Sequence, residues 1–336
     1  MRSVHGYIFL MSLMRAASTR NYGPPNVLQI DEVLRPLLGP REVLVEVRAA
    51  SVTAGDLRLR TADFPSISAL PGRLMFGVFR PRHPVQGTMF AGRVVDVGAE
   101  VTRFRIGEDV FGETAHGAYA EYLSIGEDAA VARMPSGLTY DEAAAIPYGA
   151  GTALHFLRDL GSVREGERVL VLGAAGGVGR FAVPIARHLG AHVTAVCARR
   201  SFELARSLGA DDVVDYATTD LARSGERYDV IFDIANASSF LESRKALTPR
   251  GRYLSLTLSV PLLFHQLWTA IAGGQRAKLG VAIPSSTSMH EIAAQAAAGV
   301  FRPIIAKRFP LDRIAEAHAH AEQTRSEGST IVALAA

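Results

Sequence analysis

The chain has 336 residues, 48% hydrophobic and 21% charged, a globular composition with length for two domains. Its 36 Lys and Arg against 33 Asp and Glu leave a formal net charge of +3 and form no basic block, which argues against nucleic acid as a main partner. The single cysteine, Cys197, excludes an intrachain disulfide and a cysteine-built metal site and fits a reducing compartment, so a cytoplasmic location is expected.

In chain order, "MRSVHGYIFLMSLM" has the outline of a signal peptide. Its apolar run ends at Arg15 without a small-x-small cleavage site, so residues 1–13 are read as an N-terminal extension. No uninterrupted apolar segment of about 18 residues follows, and no membrane partner is expected. Residues 14–136 carry short β-type runs ("EVLVEVRAASVT", "FAGRVVDVGAEV", "EDVFGE", "AYAEYLSI") separated by Gly and Pro, which predicts a mostly β domain. Within it, 64–84 ("FPSISALPGRLMFGVFRPRHP") reads as a long loop, either an apolar substrate wall or a surface loop. From 137 to 299 helical stretches alternate with "RVLVLG", "AHVTAVC", "DDVVDY", "YDVIFDIA" and "GRYLSL", the pattern of a parallel sheet covered on both faces. Residues 300–336 add strand and helix that return to the first domain.

The densest signal is the turn after "RVLVL". Residues 174–179 are Ala174, Ala175, Gly176, Gly177, Val178 and Gly179, which matches G-x-G-x-x-G except that Ala174 replaces the first glycine. Gly176 lets backbone approach a pyrophosphate, Gly179 lets helix and strand pack, and the helix N-terminus offers free N–H groups. The alternative is a tight structural turn. Pro184, inside the helix that follows, is expected to remove a hydrogen bond and introduce a kink.

An NAD site places an acid about 20 residues past the glycines. Here that stretch is Cys197, Ala198, Arg199, Arg200 and Ser201, with no acid before Glu203. Two guanidiniums suit the 2′-phosphate of NADPH; the alternative is a solvated surface loop.

The phrases "ASVTAGDLRLR", "PVQGTMFAGRVVDVGAEVTRFRIGEDVFG", "GAYAEY", "AAAIPYGAGTAL", "RVLVLGAAGGVGRFAVPIARHLGAHVTAVC" and "SLGADDVVDY" together resemble the medium-chain dehydrogenase/reductase superfamily over residues 14–336. The chain looks closest to the zinc-independent, quinone-oxidoreductase-like branch. The resemblance implies an α/β protein with a GroES-like, mostly β catalytic domain (14–136 and 300–336) and a Rossmann doubly wound parallel-sheet domain (137–299). Where zinc-dependent relatives carry ligands, this chain has Thr53, Gly87, Thr88 and Met89, so no metal is expected. His318 and His320, two apart on a helix, point to nearly opposite sides and read as solvated or packed.

The resemblance further implies cofactor contacts at Tyr216, Ala235, Asn236 (where a glycine is usual) and Thr152. Among catalytic candidates, Tyr148 lies where the chain passes the nicotinamide and offers a phenol, with a packed tyrosine as the alternative. Thr53 stands where quinone reductases have a polar asparagine, and Asp56 either acts beside it or braces its turn. A homodimer is implied, joined through an edge strand at "RYLSLTL" or "AKLGVAI". The activity expected is NADPH-dependent hydride transfer to a small apolar conjugated carbonyl, an enone or a quinone. Two alternatives stay open: a zinc-free aldehyde reductase, and a cofactor-binding protein without turnover.

Overall fold

The computed structural model describes residues 12–218, 225–324 and 328–334. The extension read at 1–13 lies outside them but for Ser12 and Leu13, and Leu13 opens the first strand, β1 (Leu13–Ser18). It forms an antiparallel ribbon with β2 (Gln29–Leu34).

The long strand β3 (Glu42–Val52) organises the first domain. Its alternate residues Val43, Val45 and Val47 are buried in one apolar cluster with Phe90, Val94 and Tyr119. It leads into helices α1 (Ala54–Thr61) and α2 (Ala69–Phe76), then β4 (Met89–Val97), β5 (Asp109–Glu113), β6 (Tyr122–Gly126) and β7 (Val131–Arg133). α1 starts because Thr53 and Asp56 make a reciprocal capping box, each satisfying an N–H that the first turn leaves unpaired. The segment 64–84 is thus no simple loop: a 3-10 turn at Ser66–Ser68 and the helix α2 occupy its first half.

Helices α3 (Tyr140–Ala145) and α4 (Pro147–Leu154) carry the chain across to β8 (Arg168–Leu172), a strand almost entirely buried. There follow α5 (Gly179–His188), β9 (His192–Cys197), α6 (Phe202–Ser207), β10 (Asp212–Asp215), β11 (Tyr228–Asp233), α7 (Phe240–Ser243), β12 (Leu247–Ser255), α8 (Val260–Ala272), β13 (Arg276–Leu279) and α9 (Ser286–Ala297). The six strands are all parallel, in the order β10-β9-β8-β11-β12-β13. Numbered from β8, that is 3-2-1-4-5-6, the order of a dinucleotide-binding sheet, whose ligand crevice opens where the order reverses, between β8 and β11. α5 runs through Pro184 as one helix, buried from Gly179 to Ala186; packing on both sides holds a helix that the missing N–H alone would weaken. β12 lies between β11 and β13, so "RYLSLTL" is interior, and of the two expected segments it is "AKLGVAI" whose strand, β13, is an edge, opposite the edge strand β10.

The chain then makes β14 (Ile305–Pro310), α10 (Ile314–Gln323) and β15 (Ser329–Ala333). β15 pairs antiparallel with the second half of β3, whose first half pairs with β6. The last strands therefore complete the first domain's seven-stranded sheet.

Candidate active site

A cleft of about 1430 Å³ runs between the two sheets. One wall is the β8–α5 turn. Gly173 has φ +87°, and a Cβ on Gly179 would lie 2.2 Å from the Gly173 carbonyl oxygen, so the helix start rests directly on the turn. Gly149 of α4 packs as tightly: a Cβ there would meet Phe181 at 2.4 Å and the Gly177 carbonyl oxygen at 2.8 Å. Gly177 itself has nothing within 4 Å of its Cβ position and faces the cleft. The N–H groups of Ala175, Gly177 and Val178 make no hydrogen bond among the described residues, which leaves donors at a helix N-terminus aimed into a cleft, the arrangement that binds a pyrophosphate.

Ala175, Gly176, Gly177 and Val178 line this wall. Ala174, fully buried, and Gly179 lie beneath it and shape the turn instead of touching a ligand. Arg180, unremarked in the sequence, also lines the cleft while only 6% exposed. Its Nη1 has no partner among the described residues, and burial lowers its pKa. A buried cation without a counter-charge is costly and an anionic group in the cleft would relieve it. The turn and Arg180 therefore fit a dinucleotide phosphate.

Beyond β9, Arg200, the buried Ser201 and the exposed Tyr216 line the cleft. Arg199 is exposed and stands outside its wall, so only one arginine of the pair reaches the site. No acid lines the cleft between Val196 and Tyr216. After β11, Ala235 and Asn236 line it, and Asn236 has φ +54°. That left-handed backbone explains why glycine is usual here and why asparagine, the side chain that best tolerates it, substitutes. Thr152 lines the cleft from α4.

Thr53, Arg58, Tyr148 and Glu113 line the cleft as well. Asp56 does not reach the wall. It is 2% exposed and accepts from the Thr53 N–H at 2.8 Å, the Thr53 hydroxyl at 2.6 Å and the Thr88 hydroxyl at 2.8 Å. Burial pushes its carboxyl up against the pull of those hydrogen bonds. Of the two roles open to Asp56, these bonds favour bracing the turn, and it stands outside the cleft wall. The expectation of Thr53 as a donor to substrate is corrected, because its hydroxyl proton is committed to Asp56. Tyr148, its ring against Gly55, makes no side-chain hydrogen bond among the described residues. Burial raises its pKa, with Arg58 opposing and Asp56 and Glu113 assisting.

Glu113, the last residue of β5, was not legible as a site residue. Its carboxyl has no hydrogen bond among the described residues, and burial, helped by the charge of Asp56, pushes its pKa up to about 8. An acid that stays protonated at neutral pH can donate a proton. Of the proposed substrate wall, Phe64 and Pro65 line the cleft while Phe76 and Phe79 do not.

Among the described residues no group of three or more His, Cys, Asp or Glu side chains is placed to hold a metal. His318 is fully buried edge-on to Tyr119, and burial holds its pKa down to about 3. His320 bonds to Thr330 at 3.0 Å and to Thr324.

The fold and the turn define a two-domain dinucleotide-dependent oxidoreductase. Residues 39–147 match the family model described as the alcohol dehydrogenase GroES-like domain, and 208–332 the one described as zinc-binding dehydrogenase. A quinone oxidoreductase of Pseudomonas aeruginosa is 31% identical over 93% of this chain and 97% of its own length. The mitochondrial NAD(P)H oxidoreductase RTN4IP1 of Bos taurus is 29% identical over 96% of this chain and 89% of its own. The solved quinone oxidoreductase of Coxiella burnetii superposes with a TM-score of 0.83 at 23% identity, covering 96% of this chain and all of that one. The chain belongs to the medium-chain dehydrogenase/reductase superfamily, in its quinone-oxidoreductase-like branch.

Proposed function

We propose that the protein uses NADPH to reduce an apolar conjugated carbonyl compound, an enone or a quinone. The observation that carries this reading is one cleft lined both by the donor-rich turn at Ala175–Val178 and by Tyr148 and Glu113, whose protons burial holds in place. The N–H groups of the turn hold the pyrophosphate, Arg200 pairs with the 2′-phosphate, and Tyr216, Ala235 and Asn236 border the adenosine. NADPH, when bound, supplies the hydride.

The chain's own residues handle the charge and the proton. As the substrate accepts the hydride, negative charge gathers on its carbonyl oxygen. The Tyr148 hydroxyl donates a hydrogen bond to that oxygen from a fixed, largely dry position, where such a bond counts most. Glu113 then gives up its carboxyl proton, to the oxygen of a quinone or the α-carbon of an enone, and regains one from water at the cleft mouth. Conjugation spreads the charge, which lessens the need for Lewis-acid polarisation of the kind a catalytic zinc supplies.

The test is a substrate panel with product analysis on chelator-treated protein. Quinones and enones should be reduced, giving hydroquinones and saturated ketones. Reduction of saturated aldehydes alone, or NADPH binding without turnover on any compound, overturns the proposal.

We also infer a homodimer joined at β13. That edge strand is uncovered, and α8 beside it exposes Leu267 and Trp268 together with Ile271, which is 91% exposed. A second copy would extend the sheet and bury that face.

A further inference from the structure

A second apolar surface lies on the first domain, formed by α2 and the turn after it. Leu70, Leu74, Met75 and Val78 are all exposed there, and Phe79 is 92% exposed. A structured underside presents them. The Phe76 ring stacks on Phe64 at 5.7 Å, and Gly72 sits so close to Phe64 that a Cβ there would meet that ring at 2.6 Å. The Tyr22 hydroxyl donates to the Gly77 carbonyl at 2.7 Å, and the Arg82 N–H donates to the Phe76 carbonyl at 2.7 Å. The segment is a built knob whose inner layer, Phe64, lines the cleft.

Its charge is one-sided. From 64 to 92 the sequence holds Arg73, Arg80 and Arg82 and no Asp or Glu. Arg73 and Arg82 donate to carbonyls of the same segment, Val78 and Leu74, at 3.0 Å each. No carboxylate pairs with Arg73, Arg80 or Arg82 among the described residues. Exposed leucine, methionine and phenylalanine interleaved with unneutralised arginine match the interface of an anionic bilayer, where apolar side chains enter the headgroup boundary and cations attract lipid phosphate.

We propose that α2 and the turn through Arg82 dock the protein on an anionic lipid surface, with the cleft mouth one side-chain layer behind the contact. The docking rests on this surface alone; its use, drawing a lipid-dissolved carbonyl substrate, rests on the function proposed above. It revises the expectation of no membrane partner: no described helix is long and apolar enough to cross a membrane, and a surface contact needs none.

The test is cosedimentation of the full chain with phosphatidylcholine vesicles, with and without phosphatidylglycerol, at low and high salt. Binding should favour the anionic vesicles about tenfold and weaken with salt. The double variants Leu74→Asp with Phe79→Asp, and Arg80→Glu with Arg82→Glu, should each lose about tenfold in binding while keeping wild-type turnover on a water-soluble quinone. Absence of binding to anionic vesicles, or wild-type binding by either variant, overturns the docking. So does a variant that changes the particle mass in light scattering, because the patch then serves a second copy. If vesicles bind but no quinone is turned over, the docking stands and the substrate reading falls.

Discussion

Glu113 is the residue on which the proposed chemistry turns, and its environment makes two expectations. Its pKa of about 8 means that kcat/KM should fall as pH rises through about 8, and Glu113→Gln should remove that limb along with most of the turnover. A profile unchanged by the substitution would assign the proton to water. The stability effect has its own sign. The folded-state pKa is raised, so the stabilisation from the bound proton is complete at acid pH and is lost as pH rises from the ordinary glutamate range through about 8. Glu113→Gln, which never ionises, should therefore be more stable than wild type above pH 8 by about 1–3 kcal/mol, measured by urea unfolding. On the same cleft, Arg200→Ala should cost NADPH about tenfold in affinity, about 1.4 kcal/mol, and leave NADH unchanged by calorimetry. Arg199→Ala should leave the affinity for both unchanged, since Arg199 stands outside the wall. Glycines and arginines at fixed distances from a strand were legible in the sequence. Glu113 and Arg180 were not, because what makes them functional is burial contributed by residues distant in the chain.

At the scale of elements, the turn between β8 and α5 separates folding from binding within a few residues. Gly179→Ala forces a Cβ to 2.2 Å from the Gly173 carbonyl oxygen and should cost about 1–3 kcal/mol of stability. Gly177→Ala meets nothing within 4 Å, so it should leave thermal stability alone and weaken NADPH binding by obstructing the wall. Equal effects of the two on unfolding would contradict this division. The six parallel strands were readable as short apolar runs alternating with helices, since burial on both faces demands that pattern. α2 was not, because Pro71 and Gly72 inside it are loop signals, and the helix is held by contacts to Phe64 and Tyr22 that lie outside it. The position of β12 was equally hidden: lateral strand order comes from crossovers, and nothing in "RYLSLTL" distinguishes an interior strand from an edge.

For the whole molecule, the two-domain arrangement places the donor-rich turn, Tyr148 and Glu113 on one cleft, although Glu113 ends a strand of one sheet and Gly177 lies in a connection of the other. The resemblance carried the architecture because its phrases sit at the joints: the α1 cap, the α3–α4 crossing and the β8–α5 turn. The proposed assembly is checked by light scattering. Wild type should scatter as a dimer at micromolar concentration, and Leu267→Asp with Ile271→Asp should scatter as a monomer, the charges making burial of the α8 face unfavourable. The most direct test of the central claim is a single turnover of an enone with NADPH deuterated at the transferring position, followed by mass and NMR analysis of the product. The account expects one deuterium on the former β-carbon and a solvent-derived proton on the α-carbon. Deuterium on the carbonyl carbon, or none in the product, would contradict it.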